Sequence, residues 1–330
     1  MSMQRGPHRW LLLLLVLVLG LVAPAGAQER LLTATCDSVE WEPVVGLDSG
    51  TIPVMVTYMV YMRRASEDTA IFAAKLGKQR LRRGFAADGE FNSIWGPKGI
   101  RFVLVGFRTC SFTLSKSVDP SDPTNPLAPP FTGIPNPDAT DQTFDDFFIG
   151  TLRLLNTREM QVDSRKVAFR GMDLYFWWQM SSYPGFGVRP RFGKNDESQR
   201  PNEPAQGRPG AVWMGTPCAT DGATDTCAGY FAHEAGHFLG LCHCCHAATE
   251  SPTCFNYLKP DYCPGLGGFL KAPRQSCSGD LSKRLMGATN PFSKTSEEFV
   301  RLEDCEVTTA RAGMEKVLRF GANGVNVRTP

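Results

Sequence analysis

The residues best suited to chemistry lie in one short stretch that begins at His233 and reads HEAGHFLGLCH. His233 and His237 are four residues apart, so on a helix both imidazoles project from one face and can bind a single metal ion. Glu234 lies between them, in a position to accept a proton from water at the metal rather than to bind the metal. Gly240 can adopt the left-handed conformation that ends a helix, and the resulting turn would bring His243 round as a third ligand. Three protein ligands leave a fourth position for water, which is typical of a catalytic rather than a structural zinc.

The distribution of histidines favours the same interpretation. The chain has five histidines, His8, His233, His237, His243 and His246. His8 belongs to an N-terminal segment that we expect to be removed, so the others are confined to one short stretch. This confinement favours metal binding over the alternative that helix histidines are hydrogen-bonded in a core.

The stretch resembles the extended zinc signature of the metzincin metallopeptidases. The resemblance implies an α+β fold with a twisted, mostly parallel sheet, an active-site helix and a cysteine-rich, mainly irregular C-terminal subdomain. It also implies a methionine turn beneath the zinc. Met286, in the sequence RLMG, is the candidate, since it is the only methionine between His243 and Met314. Without the resemblance, Met286 would be interpreted as an ordinary residue of the hydrophobic core.

Within the metzincins, the chain is most similar to the pappalysin-like branch, over residues 50–310. The similarity lies in IPVMVTYMVY, in FNSIWGPKGIRFVLVG and in the stretch that leads into the zinc motif. It implies that a strand at residues 211–214 lines the upper rim of the cleft and pairs with an extended substrate. Two positions depart from the branch. Ala288 stands where a tyrosine is common, and Cys242 stands where an aromatic or polar residue usually precedes the third histidine.

The N-terminus has the pattern of a secretory signal. Arg5, His8 and Arg9 form a basic region, residues 11–22 are apolar, and the sequence AGA ends at Ala27. The apolar run is too short to span a bilayer comfortably, although an uncleaved anchor is the alternative. We therefore expect a secreted protein, extracellular or periplasmic in a bacterium, without a stable membrane span after cleavage.

Eleven cysteines in an exported chain predict disulfides, and their odd number leaves at least one thiol free or paired to another chain. The cluster Cys242, Cys244, Cys245 and His246 could alternatively form a second zinc site. The resemblance also implies a possible latent form, since metzincins are often inhibited by a cysteine or aspartate of an N-terminal segment. Cys36, with its neighbour Asp37, is the candidate for this role, because a free Cys36 thiolate could occupy the open zinc position. A disulfide to Cys36 is the commoner outcome in exported chains.

The remaining composition is that of an ordinary globular protein, with 42% apolar residues and a net charge of +2. There is no extended basic run, so nothing indicates a nucleic acid or an anionic membrane as partner. The expected partner is a protein or peptide substrate, and the oligomeric state stays open.

Hydrophobic patterning predicts the elements that hold the motif. Strands are expected at residues 51–62, 99–108, 167–179 and 211–214. Helices are expected at residues 71–92, 144–159 and 229–239. Residues 117–142 and 183–210 are proline-rich, and we expect a surface loop at the first of them. A capping box formed by Thr295 and Glu298 predicts a last helix, with Phe299, Leu302 and Val307 on its apolar side.

We divide the chain into four parts. Residues 1–27 form the signal peptide, residues 28–50 a short segment that could be a pro-segment, residues 51–243 the catalytic subdomain, and residues 244–330 the C-terminal subdomain. The expected activity is that of a secreted zinc endopeptidase, with Glu234 as general base. The alternatives are a non-catalytic zinc-containing binding domain and a zinc amidase acting on a non-peptide substrate. The resemblance also makes calcium possible, because relatives can bind it, but no site is assigned to it. The loop aspartates Asp221, Asp225, Asp261 and Asp280 are candidates, although loop aspartates mostly form turns or face solvent.

Overall fold

The computed structural model describes residues 32–44, 46–61, 76–114, 154–177, 185–188, 190, 210–215, 218, 226–241, 285–286, 302 and 304–321.

The fold is built on a seven-stranded sheet with a mostly parallel centre. The described strands are β1 (Leu32–Cys36), β2 (Glu40–Trp41), β3 (Thr51–Tyr61), β4 (Arg101–Leu114), β5 (Glu159–Val162), β6 (Arg165–Ala168), β7 (Met172–Trp177), β8 (Gly185–Val188) and β9 (Ala211–Gly215). The order in the sheet is β1-β4-β3-β7-β9-β8, and the short β2 also pairs with β4. The four central strands β4, β3, β7 and β9 are mutually parallel, whereas β1, β2 and β8 pair antiparallel with their neighbours. A separate antiparallel hairpin consists of β5 and β6.

Three α-helices are described alongside the sheet: α1 (Leu76–Gly84), α2 (Thr226–Phe238) and α3 (Asp304–Phe320). Two short 3-10 turns, Glu90–Asn92 and Gly96–Lys98, lie between α1 and β4. Among the helices that the structure describes, none is both long and apolar enough to cross a membrane.

The larger core fills the space between the helices and one face of the sheet. Alternate residues of each central strand point to this side because successive side chains of a strand face opposite ways. Their partners come from α1, α2 and α3, so the sheet and the three helices share one apolar cluster. Its members include Ile52, Val54, Val56, Leu81, Phe102, Leu174, Met214, Phe231, Phe238, Leu302, Val307 and Val317.

The opposite face of the sheet carries a buried polar network centred on Asp173. Its carboxylate lies 3.7 Å from the Arg108 guanidinium and accepts a 3.0 Å hydrogen bond from the backbone N–H of Thr157. Arg108 also donates to the hydroxyl of Thr57 and to the carbonyl of Leu155. Burial raises the pKa of Asp173, while the charge of Arg108 opposes that rise. The network ties residues 154–157 to three strands of the sheet.

The N-terminal segment is an integral part of the sheet. Strand β1 pairs with β4 along its whole length, and Cys36 forms a disulfide with Cys110 at directly opposed positions. Glu40 of β2 forms ion pairs with Lys78 and Arg82 of α1. The interpretation of Cys36 as a free thiol that blocks the metal is therefore wrong, because its sulfur is bonded to Cys110.

Three predicted strands, at residues 51–62, 99–108 and 211–214, correspond to β3, β4 and β9, and β4 continues to Leu114. The strand predicted at residues 167–179 is two elements, because β6 ends the hairpin and β7 enters the main sheet. At the break between them, Gly171 lies so close to Pro53 that an added Cβ would be 2.0 Å from the Pro53 carbonyl oxygen.

The helices predicted at residues 71–92 and 144–159 differ from the structure in their bounds. The helix predicted at residues 71–92 ends at Gly84, and a 3-10 turn covers its last part. Residues 144–153, most of the next predicted helix, lie outside the described residues. Leu154 and Leu155 are helical as predicted, whereas Glu159 begins β5 instead. The capping box at Thr295 also lies outside them, and the last helix is described from Asp304.

Candidate metal site

Helix α2 ends at the turn that its sequence predicts. Gly240 has a φ of +96°, and two backbone hydrogen bonds close the turn, from Leu241 N–H to the Gly236 carbonyl and from Gly240 N–H to the His237 carbonyl, both 2.9 Å. These bonds define a Schellman motif, in which glycine supplies the left-handed residue after the helix. The turn folds the Leu241 carbonyl back onto the helix, where it lies 2.9 Å from Nδ1 of His237.

The two histidines of α2 are held as a pair of metal ligands would be. Their Nε2 atoms are 3.2 Å apart, and Nδ1 of His233 lies 2.6 Å from the carbonyl oxygen of Leu285. Carbonyl oxygens only accept hydrogen bonds, so each Nδ1 carries the proton and each Nε2 presents its lone pair. Two ligands at about 2.0–2.1 Å from a tetrahedral ion would be about 3.3 Å apart, so the observed separation fits one shared ion.

Burial keeps both imidazoles neutral, which is the form that binds metal. It lowers the pKa of His233 to about 3, with the neighbouring His237 lowering it further and the Leu285 carbonyl opposing the shift. Burial also lowers the pKa of His237, against the effect of the Leu241 carbonyl. The site therefore offers two nitrogen ligands that are neutral across the physiological pH range.

Glu234 lies beside the two imidazoles, almost fully buried at 8% exposure. Its carboxylate and the nitrogens of His233 and His237 lie within 4.8 Å of one another, so the three residues form a group that could hold a metal ion. Burial raises the pKa of Glu234 to about 8, although a hydrogen bond from the backbone of Gly187 lowers it in part. A cation held by the imidazoles would favour the ionised carboxylate.

Met286 lies against the helix that carries the histidines. Its side chain is fully buried, and a Cβ added at Gly236 would lie only 2.6 Å from the Met286 sulfur. The preceding residue, Leu285, supplies the carbonyl that orients His233. Leu285 and Met286 thus contribute one backbone acceptor to His233 and one buried sulfur that packs against Gly236 of α2.

The N-terminal half of α2 is anchored to the core by a disulfide and an indole. Cys218 is bonded to Cys227 in the first turn of the helix. Trp95, fully buried, donates a 3.0 Å hydrogen bond from Nε1 to the carbonyl oxygen of Ala232, the residue before His233.

An aromatic cluster packs against the same half of α2. The ring of Phe231 meets those of Phe85, Phe91 and Phe102 at centroid distances of 5.2, 5.0 and 5.1 Å. These contacts fix the helix on the side away from the histidines.

The edge of the sheet next to the site is β8, and the expectation that the strand at residues 211–214 pairs with substrate is wrong. Strand β9 is hydrogen-bonded to β7 on one side and to β8 on the other, so both of its edges are occupied. Among the described strands, β8 has a partner on one side only. Sequence reasoning missed β8 because GFGV is short, lies in a glycine- and proline-rich stretch and is half glycine, a residue depleted in strands.

Several predicted residues lie outside the part of the chain that the structure describes. They are His243, Cys242, Cys244, Cys245, His246, Ala288 and the loop aspartates Asp221, Asp225, Asp261 and Asp280. The structure brings together His233, Glu234, His237 and Met286. No family model matches the chain, and no curated protein matches it significantly.

Proposed function

We propose that this chain is a zinc-dependent endopeptidase that is exported from the cell. The observation that carries the proposal is the pair of Nε2 atoms 3.2 Å apart, each on an imidazole whose Nδ1 is bonded to a backbone carbonyl. Acceptors of this kind fix the tautomer and orientation of metal-binding histidines. Export is supported by the two disulfides, since such bonds persist in oxidising compartments.

The buried carboxylate between the histidines favours a catalytic site over a structural one. In the proposed site, His233, His237 and His243 would hold the zinc, and Met286 would support the helix that carries the first two of these ligands. When bound, zinc supplies a Lewis acid that lowers the pKa of a coordinated water and polarises a carbonyl group. Glu234 accepts the proton of the attacking water and passes it to the leaving amine. A purely structural metal site has no use for this carboxylate.

An extended polypeptide is the substrate that best fits the edge of the sheet beside the site. Strand β8 is an edge strand among the described residues, and its backbone can pair with an added strand. The same strand contacts α2 at Glu234 and His237. A peptide paired with β8 would therefore run past the general base.

Metal analysis and hydrolysis test the proposal together. Purified protein should contain about one zinc per chain, and His237→Ala should lose most of it. A His233→Ala, His237→Ala double variant that retains stoichiometric zinc would refute the site. Wild type should cleave a peptide library in a chelator-sensitive manner, and Glu234→Ala should retain only a residual activity, roughly 10²- to 10⁴-fold lower.

The remaining candidates are separated by the same experiment. Zinc retention without cleavage by wild type would favour a non-catalytic zinc-containing domain. Cleavage of small amides but of no peptide would favour a zinc amidase.

A further inference from the structure

Strand β8 lies directly on the backbone of α2 because two of its four residues have no side chain. A Cβ added at Gly187 would lie 2.1 Å from the carbonyl oxygen of Glu234 and 2.9 Å from the Cβ of His237. A Cβ added at Gly185 would lie 3.1 Å from Cγ of Glu234 and 2.8 Å from the carbonyl oxygen of Trp213. Glycine in a strand often marks such a close backbone approach. Here the approach is made to the residue proposed as general base.

The strand register places both glycines on the helix side of the sheet. Gly185 is opposite Met214 and Gly187 is opposite Val212, and both partners belong to the core that faces the helices. Strand β8 therefore contacts both the main chain and the side chain of Glu234. The backbone N–H of Gly187 donates a hydrogen bond to the Glu234 carboxylate.

We infer that Gly187 is a positioning residue for Glu234, holding the carboxylate through its peptide N–H while its missing side chain lets β8 reach the helix. The inference rests on the proposed function, in which Glu234 is the general base. A carboxylate on a flexible side chain gains catalytic efficiency when a fixed donor limits its rotation. Because β8 is also the edge strand beside the site, the same strand positions the general base and determines where an extended substrate would lie.

A packing role and a positioning role for Gly187 make different predictions. If Gly187 only allows close packing, its replacement affects stability and metal content whatever residue is at position 234. If it positions Glu234, part of the effect on kcat disappears once the carboxylate is gone. A double-mutant cycle measures this dependence directly.

The primary variant replaces the amide bond before Gly187 with an ester, by incorporation of glycolic acid at position 187. This change removes the N–H and adds no side chain, so the backbone contact with α2 is kept. We expect kcat on a cleaved peptide to fall by roughly 10- to 100-fold, the scale of a misplaced catalytic group, with KM and zinc content unchanged. In a Glu234→Ala background the same ester should change the residual kcat by less than about twofold.

The matched steric variants are Gly187→Ala and Gly96→Ala. Gly187→Ala should lower kcat at least as much as the ester and should also lower the melting temperature, since its methyl group overlaps Glu234. Gly96→Ala should preserve kcat, because a Cβ there meets only the Cβ of Asn92, at 3.8 Å.

An independent readout is the amide proton of Gly187 in protein labelled with 15N-glycine. Its resonance should move upfield in Glu234→Ala, where the acceptor is lost. An ester variant with wild-type kcat, or an equal loss of kcat in both backgrounds, would overturn the positioning role. A wild type without zinc, or a fully active Glu234→Ala variant, would overturn the proposed function itself and this inference with it.

Discussion

Replacing Glu234 with glutamine should stabilise the metal-free protein, and the gain should grow as the pH rises. Burial raises the pKa of this carboxyl group from 4.5 to about 8. Between those two values the folded state retains a proton that the unfolded chain releases, so rising pH favours unfolding. The stabilising contribution is complete below the unfolded pKa and is lost as the pH passes through the folded one. Glutamine has nearly the same shape and does not ionise, so the variant is free of this loss.

The size of the effect follows from the pKa difference. Each pH unit in this interval costs about 1.4 kcal/mol, so the full interval costs at most about 5 kcal/mol. His233 gives the opposite slope, because burial lowers its pKa from 6.5 to about 3 and stability therefore rises with pH up to about 6.5. The cleanest window for Glu234 is thus pH 6.5–8, where wild type should lose about 2 kcal/mol relative to Glu234→Gln.

Urea unfolding of chelator-treated protein with intact disulfides at pH 5, 6.5 and 8 measures the difference. Glu159→Gln is the matched control, since the Glu159 side chain is 63% exposed, and its difference from wild type should stay constant over this range. Parallel stability curves for wild type and Glu234→Gln would show that the carboxyl group is not buried as described, and the reasoning would fail.

Three further predictions address the supports of the site. Gly236→Ala should destabilise the protein by about 1–3 kcal/mol and weaken zinc retention, because the new methyl group would overlap the Met286 sulfur. Helix propensity alone predicts a gain in stability, so a raised melting temperature would contradict the described packing. Trp95→Phe should cost about 2–3 kcal/mol in urea unfolding, through the lost hydrogen bond to Ala232 and the space left by the smaller ring. Cys36→Ser should cost about 4 kcal/mol on a loop-entropy estimate without changing any activation lag, and a shorter lag would restore the latency hypothesis.

The sequence allowed the correct prediction of features that depend on neighbours along the chain. The two histidines of α2 lie four residues apart, and Gly240 has the positive φ that its position after the helix predicts. Strands β3 and β9 were found because their residues are apolar and β-branched or aromatic, which is typical of strands buried on both faces. In each case the signal is contained within one segment.

Features that depend on a distant partner were missed or placed wrongly. Strand β8 is only four residues long and half glycine, and the need for these glycines becomes apparent only when Glu234 is placed beside them. The predicted strand at residues 167–179 contains two strands because the hairpin β5–β6 takes up the first part. Cys36 could not be paired from its spacing, since its partner Cys110 is 74 residues away.

Three glycines in and beside α2 allow other parts of the chain to contact this helix on several sides. Gly240 turns the chain so that the Leu241 carbonyl reaches a histidine, Gly236 admits the sulfur of Met286 below, and Gly187 admits a strand beside the base. Only the first of these requirements is local, because it depends on the φ angle of the residue itself. The other two are steric and are defined by partners about 50 residues away along the chain, so sequence patterning alone does not distinguish these glycines from ordinary loop or helix residues. A methyl group added at Gly236 or at Gly187 should therefore disturb a different side of the same site. Comparing the losses of metal content and of kcat in the two variants would show which contact supports metal binding and which supports catalysis.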